Sequence, residues 1–253
     1  MNVVVNGLMT NYQKRGKGKT ILLLPGWGDD SRTFTQLSRL LEDKYETVVL
    51  DLPGFGGTQP PPSAWSLEDY ADFVERFMKK TSLKPYAVIG HSYGGAVAVV
   101  AASRRLIADR LILLAAAGVR NKNTARKRLL TAAAKIGKLP LMFLPERKRQ
   151  AVKARFYGTL GSDIFAVPHM EQTFRKIIGD DVSERASRVD VPTLLIYGSE
   201  DKATPVREGH ELNRAIRGSR MEVVGAGHFL HQEDPERIAQ LIKSFLGTGS
   251  KDG

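Results

Sequence analysis

The residues with the clearest chemical potential form a serine turn flanked by glycines, Gly90-His91-Ser92-Tyr93-Gly94. An apolar run, Tyr86–Ile89, precedes it and an Ala-rich run follows, so the pattern predicts a buried strand, a sharp turn and a helix. Glycine two positions away from the serine on each side is typical of a nucleophile elbow, where the turn leaves no room for side chains. The serine would then lie at a helix N-terminus, whose backbone N–H groups stabilise negative charge.

A serine hydroxyl is a weak nucleophile until a base removes its proton. His228 lies in Gly225–Phe229, just after the last predicted strand, and therefore at the sheet edge that also carries Ser92. His231 is the second candidate, but it abuts the predicted helix cap Asp234 and could brace that helix instead. We assign the base to His228. Three other histidines are less suitable. His91 flanks the serine, His169 lies in an insertion, and His210 lies on a predicted polar helix.

The base needs an acid that fixes its tautomer. Two carboxylates follow the penultimate predicted strand, Glu200 and Asp201, and either could face His228. The order serine, acid, histidine along the chain is the order of the elbow fold. We predict that Asp201 is the acid, with Glu200 as the alternative. The competing interpretation of Asp201 is a loop carboxylate that precedes Pro205.

The remaining pattern predicts elements that would position these side chains. Apolar runs predict buried strands at residues 20–24, 47–50, 86–89, 110–115, 192–197 and 221–224. A hairpin is predicted over residues 2–15, with its turn at Asn6-Gly7. Helices are predicted to follow N-caps at Ser31, Ser66 and Asp234 and to run through Leu41, to about Thr81 and through Phe245, respectively. A further helix is predicted over 207–216. Alternating strands and helices predict an α/β protein with a mostly parallel sheet of about eight strands and helices on both faces.

Composition excludes several classes of site. The 253 residues include no cysteine, which removes disulfides, thiolate metal sites and a cysteine nucleophile. Neither a signal-peptide pattern nor an apolar run of about 20 residues is present, so we expect a cytoplasmic protein. The chemistry expected of the serine requires no cofactor and no metal.

The net charge of +11 is concentrated in one segment. Residues 119–189 hold 16 Lys and Arg against 6 Asp and Glu, while the rest of the chain holds 22 against 21. We predict that this segment is a basic helical lid inserted after strand six, with helices over 123–135, 145–157 and roughly 162–178, the last broken at Pro168. The core would then comprise residues 1–118 and 190–246, followed by a disordered tail over 247–253.

These motifs together give the chain a resemblance to the α/β-hydrolase superfamily over nearly its full length. The resemblance is carried by Pro25–Gly28, Asp51–Gly56, Gly90–Gly95, Gly198–Asp201 and Gly227-His228. It implies a serine hydrolase of the carboxylesterase type with a helical lid.

The resemblance also implies an oxyanion hole built from the backbone N–H groups of Trp27 and Tyr93. Family members often have histidine where Pro25 stands, and this departure removes no donor from the hole. Ser92 excludes the dehalogenase and epoxide-hydrolase branches, which use an aspartate nucleophile.

Two of the motifs, Gly26–Gly28 and Asp51–Gly56, are also similar to carboxylesterases that cleave pimeloyl-carrier-protein methyl ester. Those enzymes bind an acidic carrier protein through basic lid residues. The substrate expected here is a small-molecule acyl ester or thioester. The alternatives are a lipase or carbon–carbon bond hydrolase of the same fold, or a non-catalytic hydrolase-fold binding protein.

The basic lid has two interpretations. Its runs of charge could form a solvated helix face, or they could bind an acidic carrier protein or an anionic membrane surface. Nucleic acid is not expected, because no aromatic–basic platform is present. The candidate partner-binding residues are Arg126, Lys127, Arg128, Arg147, Lys148 and Arg149.

Overall fold

A twisted sheet of eight strands forms the centre of the protein. The computed structural model describes residues 1–104, 107–119 and 167–247. The strands are β1 Asn2–Val5, β2 Leu8–Arg15, β3 Lys19–Leu24, β4 Tyr45–Leu50, β5 Ala87–His91, β6 Arg110–Leu114, β7 Thr193–Gly198 and β8 Arg220–Val224. Their order in the sheet is β1-β2-β4-β3-β5-β6-β7-β8. Strands β3 to β8 run parallel and the β1–β2 hairpin is antiparallel, which confirms the mostly parallel sheet.

Helices connect the parallel strands. They are α1 Thr35–Leu41, α2 Leu67–Lys80, α3 Ser92–Ala102, α4 Glu171–Ile177, α5 Ser183–Ala186, α6 Val206–Ala215, α7 Leu230–Glu233 and α8 Pro235–Gly247. Two short 3₁₀ turns, Ser31–Phe34 and Pro168–Met170, lead into α1 and α4. Among these described helices, none has the length and apolar character that crossing a bilayer requires.

The sheet separates two hydrophobic cores. Alternate residues of β3 show this, because Leu22 and Leu24 pack on one side while Ile21 and Leu23 pack on the other. The first core contains buried side chains of α2, α3 and α6, and the second contains those of α1 and α8. Both faces of the sheet are therefore covered by helices, as predicted, and the central strands are apolar throughout.

One predicted helix cap, Ser66, is confirmed, and another, Ser31, is wrong. Ser66 caps α2, as predicted, and the structure adds a reciprocal capping box with Asp69. The predicted cap Ser31 is wrong: the cap is Asp30, whose backbone is extended and whose carboxylate accepts a hydrogen bond from Arg32 N at 2.9 Å. Ser31 already lies inside the first turn, and its own N–H donates to the buried carboxylate of Asp51 at 2.7 Å.

Only the last part of the predicted lid belongs to the described residues. The helices predicted within 123–135 and 145–157 lie outside them, and the division into core and lid stays a prediction. The described part, 167–189, contains α4 and α5, consistent with a helical segment interrupted near Pro168. At the C-terminus, α8 ends at Gly247, and the remaining predicted tail lies outside the described residues.

The described end of this segment is attached to the loop that follows β4. His169 Nε2–H donates to the carbonyl oxygen of Gly54 at 3.1 Å. Trp65 N–H donates to the hydroxyl of Thr173 at 3.2 Å. These contacts hold α4 against the carboxyl-terminal edge of the sheet, the edge at which Ser92 lies.

Candidate active site

Ser92 stands at the junction of β5 and α3 with a positive φ of 49°. A non-glycine residue with this backbone conformation is strained, and the surrounding packing must enforce it. The enforcement comes from α3 lying directly on the end of β3. A Cβ on Gly94 would collide with the carbonyl oxygens of Leu24 and Pro25, so only glycine permits this approach. The strand, turn and helix predicted around Ser92 are therefore present.

The structure brings three predicted side chains into one chain of hydrogen bonds. His228 Nε2 lies 3.0 Å from the hydroxyl oxygen of Ser92. On the other side of the ring, Nδ1 lies 2.7 Å from Asp201 Oδ2. An ionised carboxylate can only accept, so Nδ1 carries the proton and the lone pair of Nε2 accepts from the Ser92 hydroxyl. This is the tautomer that a general base requires.

The side chain of Asp201 is fully buried at 0% exposure. Its Oδ1 accepts hydrogen bonds from Ala203 N at 2.7 Å and Thr204 N at 3.0 Å, and the Thr204 hydroxyl lies 2.7 Å from Oδ2. Burial opposes ionisation, but the hydrogen bonds from His228 and Thr204 outweigh it and hold the pKa of Asp201 below its usual value. The acid therefore stays ionised beside the ring.

Thr204 is a site residue that the sequence reasoning missed. Its hydroxyl oxygen lies within 3.0 Å of the carbonyl oxygen of Ala115 and 3.2 Å of His228 Nδ1, in addition to its contact with Asp201. Ala115 directly follows β6 and has a positive φ of 45°, which makes a second strained turn at this edge. A Thr three residues after the acid and next to Pro205 was the available signal, because Asp and Thr at this spacing often cap their own loop.

The alternative acid and base lie elsewhere. Glu200 is exposed. His231 is buried in α7, where its Nε2 lies 2.9 Å from the Thr33 hydroxyl and its ring packs on Phe34. It therefore braces the turn before α1 rather than α8. His210 is exposed on α6, as predicted.

The two predicted oxyanion residues lie beside Ser92. A Cβ placed on Gly26 would be 3.5 Å from Ser92 Cβ, so the loop that carries Trp27 passes next to the serine. Tyr93 is the second residue of α3, where a backbone N–H has no partner within the helix. The rings of Trp27 and Tyr93 pack edge to face with centroids 5.3 Å apart, which holds the Trp27 loop against the start of α3.

Aromatic side chains from three segments surround Trp27. Its ring centroid lies 4.8 Å from that of Phe55, in the loop after β4, and 5.1 Å from that of Phe174, in α4. Phe174 belongs to the segment predicted as the lid. An aromatic wall therefore surrounds Trp27 beside Ser92, and the segment predicted as the lid contributes one of its rings. The candidate partner-binding residues lie outside the described residues: Arg126, Lys127, Arg128, Arg147, Lys148 and Arg149.

Comparison with known proteins agrees with this architecture. The model of a family described as the alpha/beta hydrolase family matches residues 21–241. The human serine hydrolase BPHL is 28% identical over 260 residues, covering 96% of this chain and 85% of its own. A pyrrolizixenacetamide deacetylase of Xenorhabdus hominickii is 28% identical over 262 residues, covering 96% of this chain and 97% of its own.

A solved structure has the same fold. The enol-lactonase from Burkholderia xenovorans LB400 superposes with a TM-score of 0.76 at 21% identity, covering 98% of this chain and all (100%) of its own. At this identity the likeness concerns the fold alone.

The lowered pKa of Asp201 predicts how its contribution to stability depends on pH. Because the folded pKa lies below the unfolded value of about 3.9, the contribution is complete above that value and is lost as the pH falls through the folded pKa. The difference in unfolding free energy between wild type and Asp201→Asn should thus be constant near pH 6 and shrink below about pH 4. Urea denaturation across this range measures it.

The matched control is Glu200→Gln, one residue away and exposed. Its difference from wild type should remain within about 0.5 kcal/mol at every pH. A gap for Asp201→Asn that widens in acid would contradict the ionised, hydrogen-bonded state of Asp201.

Proposed function

This chain belongs to the alpha/beta hydrolase family, and we propose that it is a serine hydrolase that cleaves a carboxylic ester or thioester through an acyl-enzyme on Ser92. The observation that carries the proposal is the line of hydrogen bonds from Ser92 through His228 to the buried Asp201. A serine at a strained turn and helix N-terminus, with a base at 3.0 Å, is arranged to attack a carbonyl carbon.

In the proposed first half-reaction, Ser92 Oγ attacks the carbonyl carbon while its proton passes to His228 Nε2. Asp201 stabilises the imidazolium that forms. The tetrahedral oxyanion lies between the backbone N–H groups of Trp27 and Tyr93, which stabilise its developing charge. Collapse of this intermediate breaks the bond to the alcohol or thiol, which leaves with the proton from His228. The acyl group then remains as an ester on Ser92.

In the second half-reaction, water replaces the leaving group. His228 takes a proton from the water as it attacks the acyl carbon, and then returns that proton to Ser92 Oγ as the carboxylic acid departs. The aromatic wall around Trp27 is suited to hold an apolar acyl chain, since burying such a chain against these rings removes it from water.

The relatives support acyl transfer over a non-catalytic role. One is a serine hydrolase and another a deacetylase, and both match this chain over 96% of its length. A binding protein that had lost catalysis would have no need to keep the tautomer of His228 fixed by a buried acid. Esters and thioesters of graded acyl length, assayed beside lipids and carbon–carbon substrates, would separate an esterase from a lipase or a carbon–carbon bond hydrolase.

Loss of either partner in the nucleophilic pair should abolish turnover. We expect Ser92→Ala and His228→Ala each to lower kcat for a p-nitrophenyl ester by about 10⁴-fold or more, and the double variant to lose little beyond either one, because the residues act as a unit. Asp201→Asn should lower kcat by about 10⁴-fold, because it leaves the wrong imidazole tautomer. Steady-state kinetics measure these losses.

Glu200→Gln is the matched control and should stay within a few-fold of wild type. If Glu200→Gln lost activity while Asp201→Asn kept it, the acid would be Glu200. A folded Ser92→Ala protein with most of its esterase activity would disprove the proposed nucleophile.

The proposed oxyanion hole uses the Trp27 backbone, so the side chain and the amide can be tested separately. Trp27→Phe keeps the N–H and an aromatic ring, and kcat should stay within about tenfold while KM changes with the altered wall. Trp27→Pro deletes the donor and should lower kcat by about 10²–10³-fold, the effect of one lost oxyanion donor. Circular dichroism confirms folding. A folded Trp27→Pro enzyme with normal kcat would place the second donor elsewhere.

The basic segment suggests an anionic partner, and this too is a proposal. Twelve Lys and Arg against a single Glu lie in residues 120–155, which gives a positive field that attracts an acidic carrier protein. Replacing Arg126, Lys127 and Arg128 with Glu should lower kcat/KM for a carrier-bound ester and leave a small neutral ester unaffected. Wild-type kcat/KM for the carrier substrate should also fall steeply with salt, since exposed charges are screened over about 8 Å at physiological salt.

The control makes the same change of charge at the edge of the sheet opposite Ser92. Lys17, Lys44 and Lys84 are exposed and precede β3, β4 and β5. Their replacement by Glu should leave both substrates unchanged. If both triple variants lowered kcat/KM for the carrier-bound ester equally, the basic residues would form only a solvated face. Loss of binding to anionic vesicles, with carrier kinetics intact, would favour a lipid surface.

A further inference from the structure

The backbone around His228 is held on both sides by one carboxylate. Glu233 Oε2 accepts a hydrogen bond from the N–H of Gly227 at 2.6 Å, and its Oε1 accepts one from the N–H of Phe229 at 3.2 Å. These are the residues immediately before and after the base. Glu233 ends α7, a helix anchored by two buried side chains, so the carboxylate is fixed to an element outside the His228 loop.

Gly227 leaves room for this arrangement. A Cβ at this position would lie 3.0 Å from Glu233 Oε1 and 3.2 Å from Oε2, so the carboxylate would have to move by a few tenths of an ångström. The glycine before His228 therefore lets the carboxylate approach the backbone closely enough to accept both N–H groups.

A third contact holds the carbonyl group of the base. His91 is buried at 1% exposure, directly before Ser92, and its Nε2 lies 2.9 Å from the carbonyl oxygen of His228. A carbonyl oxygen only accepts, so Nε2 carries the proton. The ring centroids of His91 and His228 are 4.9 Å apart.

The charge state of His91 suits this contact. Burial, reinforced by the neighbouring His228, lowers the pKa of His91 to about 3. A neutral ring has a single N–H, and the contact with His228 fixes it on Nε2. Among the described residues, no group forms a hydrogen bond with its buried Nδ1, so the ring's one described polar contact is with the carbonyl of the base.

We propose that Glu233 and His91 are positioning residues that fix the backbone on both sides of His228 and so keep its imidazole in line with Ser92 and Asp201. The inference rests on the proposed function, because it assigns a second set of residues to the same base. Neither residue touches a reacting atom. Both act through His228, whose loop would otherwise have the freedom that is usual for a connection after a strand.

A purely structural role makes a different prediction from a positioning role. If these contacts only stabilise the fold, removing them lowers the melting temperature and affects every variant equally. If they position His228, their removal lowers kcat with little change in KM, and the loss disappears once His228 itself is absent. A double-variant cycle separates the two.

The test uses Glu233→Ala, which removes both acceptors, and His91→Phe, which keeps a ring but removes the donor. Each should lower kcat for a p-nitrophenyl ester by about 10–100-fold with KM within about twofold, as expected for a misplaced catalytic group. His91→Gln keeps an N–H donor and should restore most of the activity. Glu236→Ala, an exposed carboxylate three residues along, is the matched control and should equal wild type. In the His228→Ala background, Glu233→Ala should cause no further loss.

A second measurement does not depend on turnover. The Nδ1–H of His228, in a 2.7 Å bond to a buried carboxylate, should give a far-downfield proton NMR signal that Asp201→Asn lacks. Glu233→Ala and His91→Phe should broaden or shift it, and Glu236→Ala should not. The inference would be overturned if Glu233→Ala and His91→Phe left both the signal and kcat unchanged. It would also be overturned if Glu233→Ala lowered kcat as much in the His228→Ala background as in wild type. A normal signal in a wild-type protein that cleaves no ester would count against the proposed function alone.

Discussion

The close approach of α3 to the end of β3 is the contact on which the site depends. Glycine at position 94 lets the first turn of the helix lie against the carbonyl oxygens of Leu24, the last residue of β3, and of Pro25, and this packing holds Ser92 at a φ of 49°. Strain of this kind costs about 1–3 kcal/mol and persists only when the surroundings enforce it. Here the enforcing elements are the two central strands, β3 and β5, which are adjacent in the sheet. The same packing places the loop with Trp27 beside the serine.

The acid and the base depend on a second pairing, between β7 and β8. The parallel register continues past the strands, since Ser199 N–H donates to Val224 O at 2.8 Å and Glu200 N–H to Ala226 O at 3.0 Å. The two loops are therefore joined by backbone hydrogen bonds before their side chains meet. The distance of 2.7 Å between Asp201 and His228 follows from sheet register as much as from the side chains themselves.

The sequence sufficed for the features that depend on local pattern. Ser92, Asp201 and His228 each follow a predicted strand, and parallel strands end at a common edge, so their meeting could be foreseen. The role of His231 could not be foreseen, because its contact with Thr33 joins positions 198 residues apart. The cap at Asp30 was missed for a related reason. The backbone N–H of Ser31 donates a hydrogen bond to Asp51, 20 residues away, and the local sequence gives no sign of this contact. The spacing of Thr204 to Asp201 was a local signal, but its contact with Ala115 joins positions 89 residues apart. Glu233 is a helix residue whose contacts with the His228 loop become visible only in three dimensions.

The central claim is that Ser92 is an activated nucleophile, and covalent labelling tests it most directly. A fluorophosphonate reacts with a serine whose hydroxyl is deprotonated by a neighbouring base and whose product is stabilised by an oxyanion hole. Intact-protein mass spectrometry and peptide mapping should find a single adduct on the peptide that contains Ser92, formed by wild type and absent from Ser92→Ala. An adduct on another serine, or a folded wild-type protein that remains unlabelled, would contradict the account.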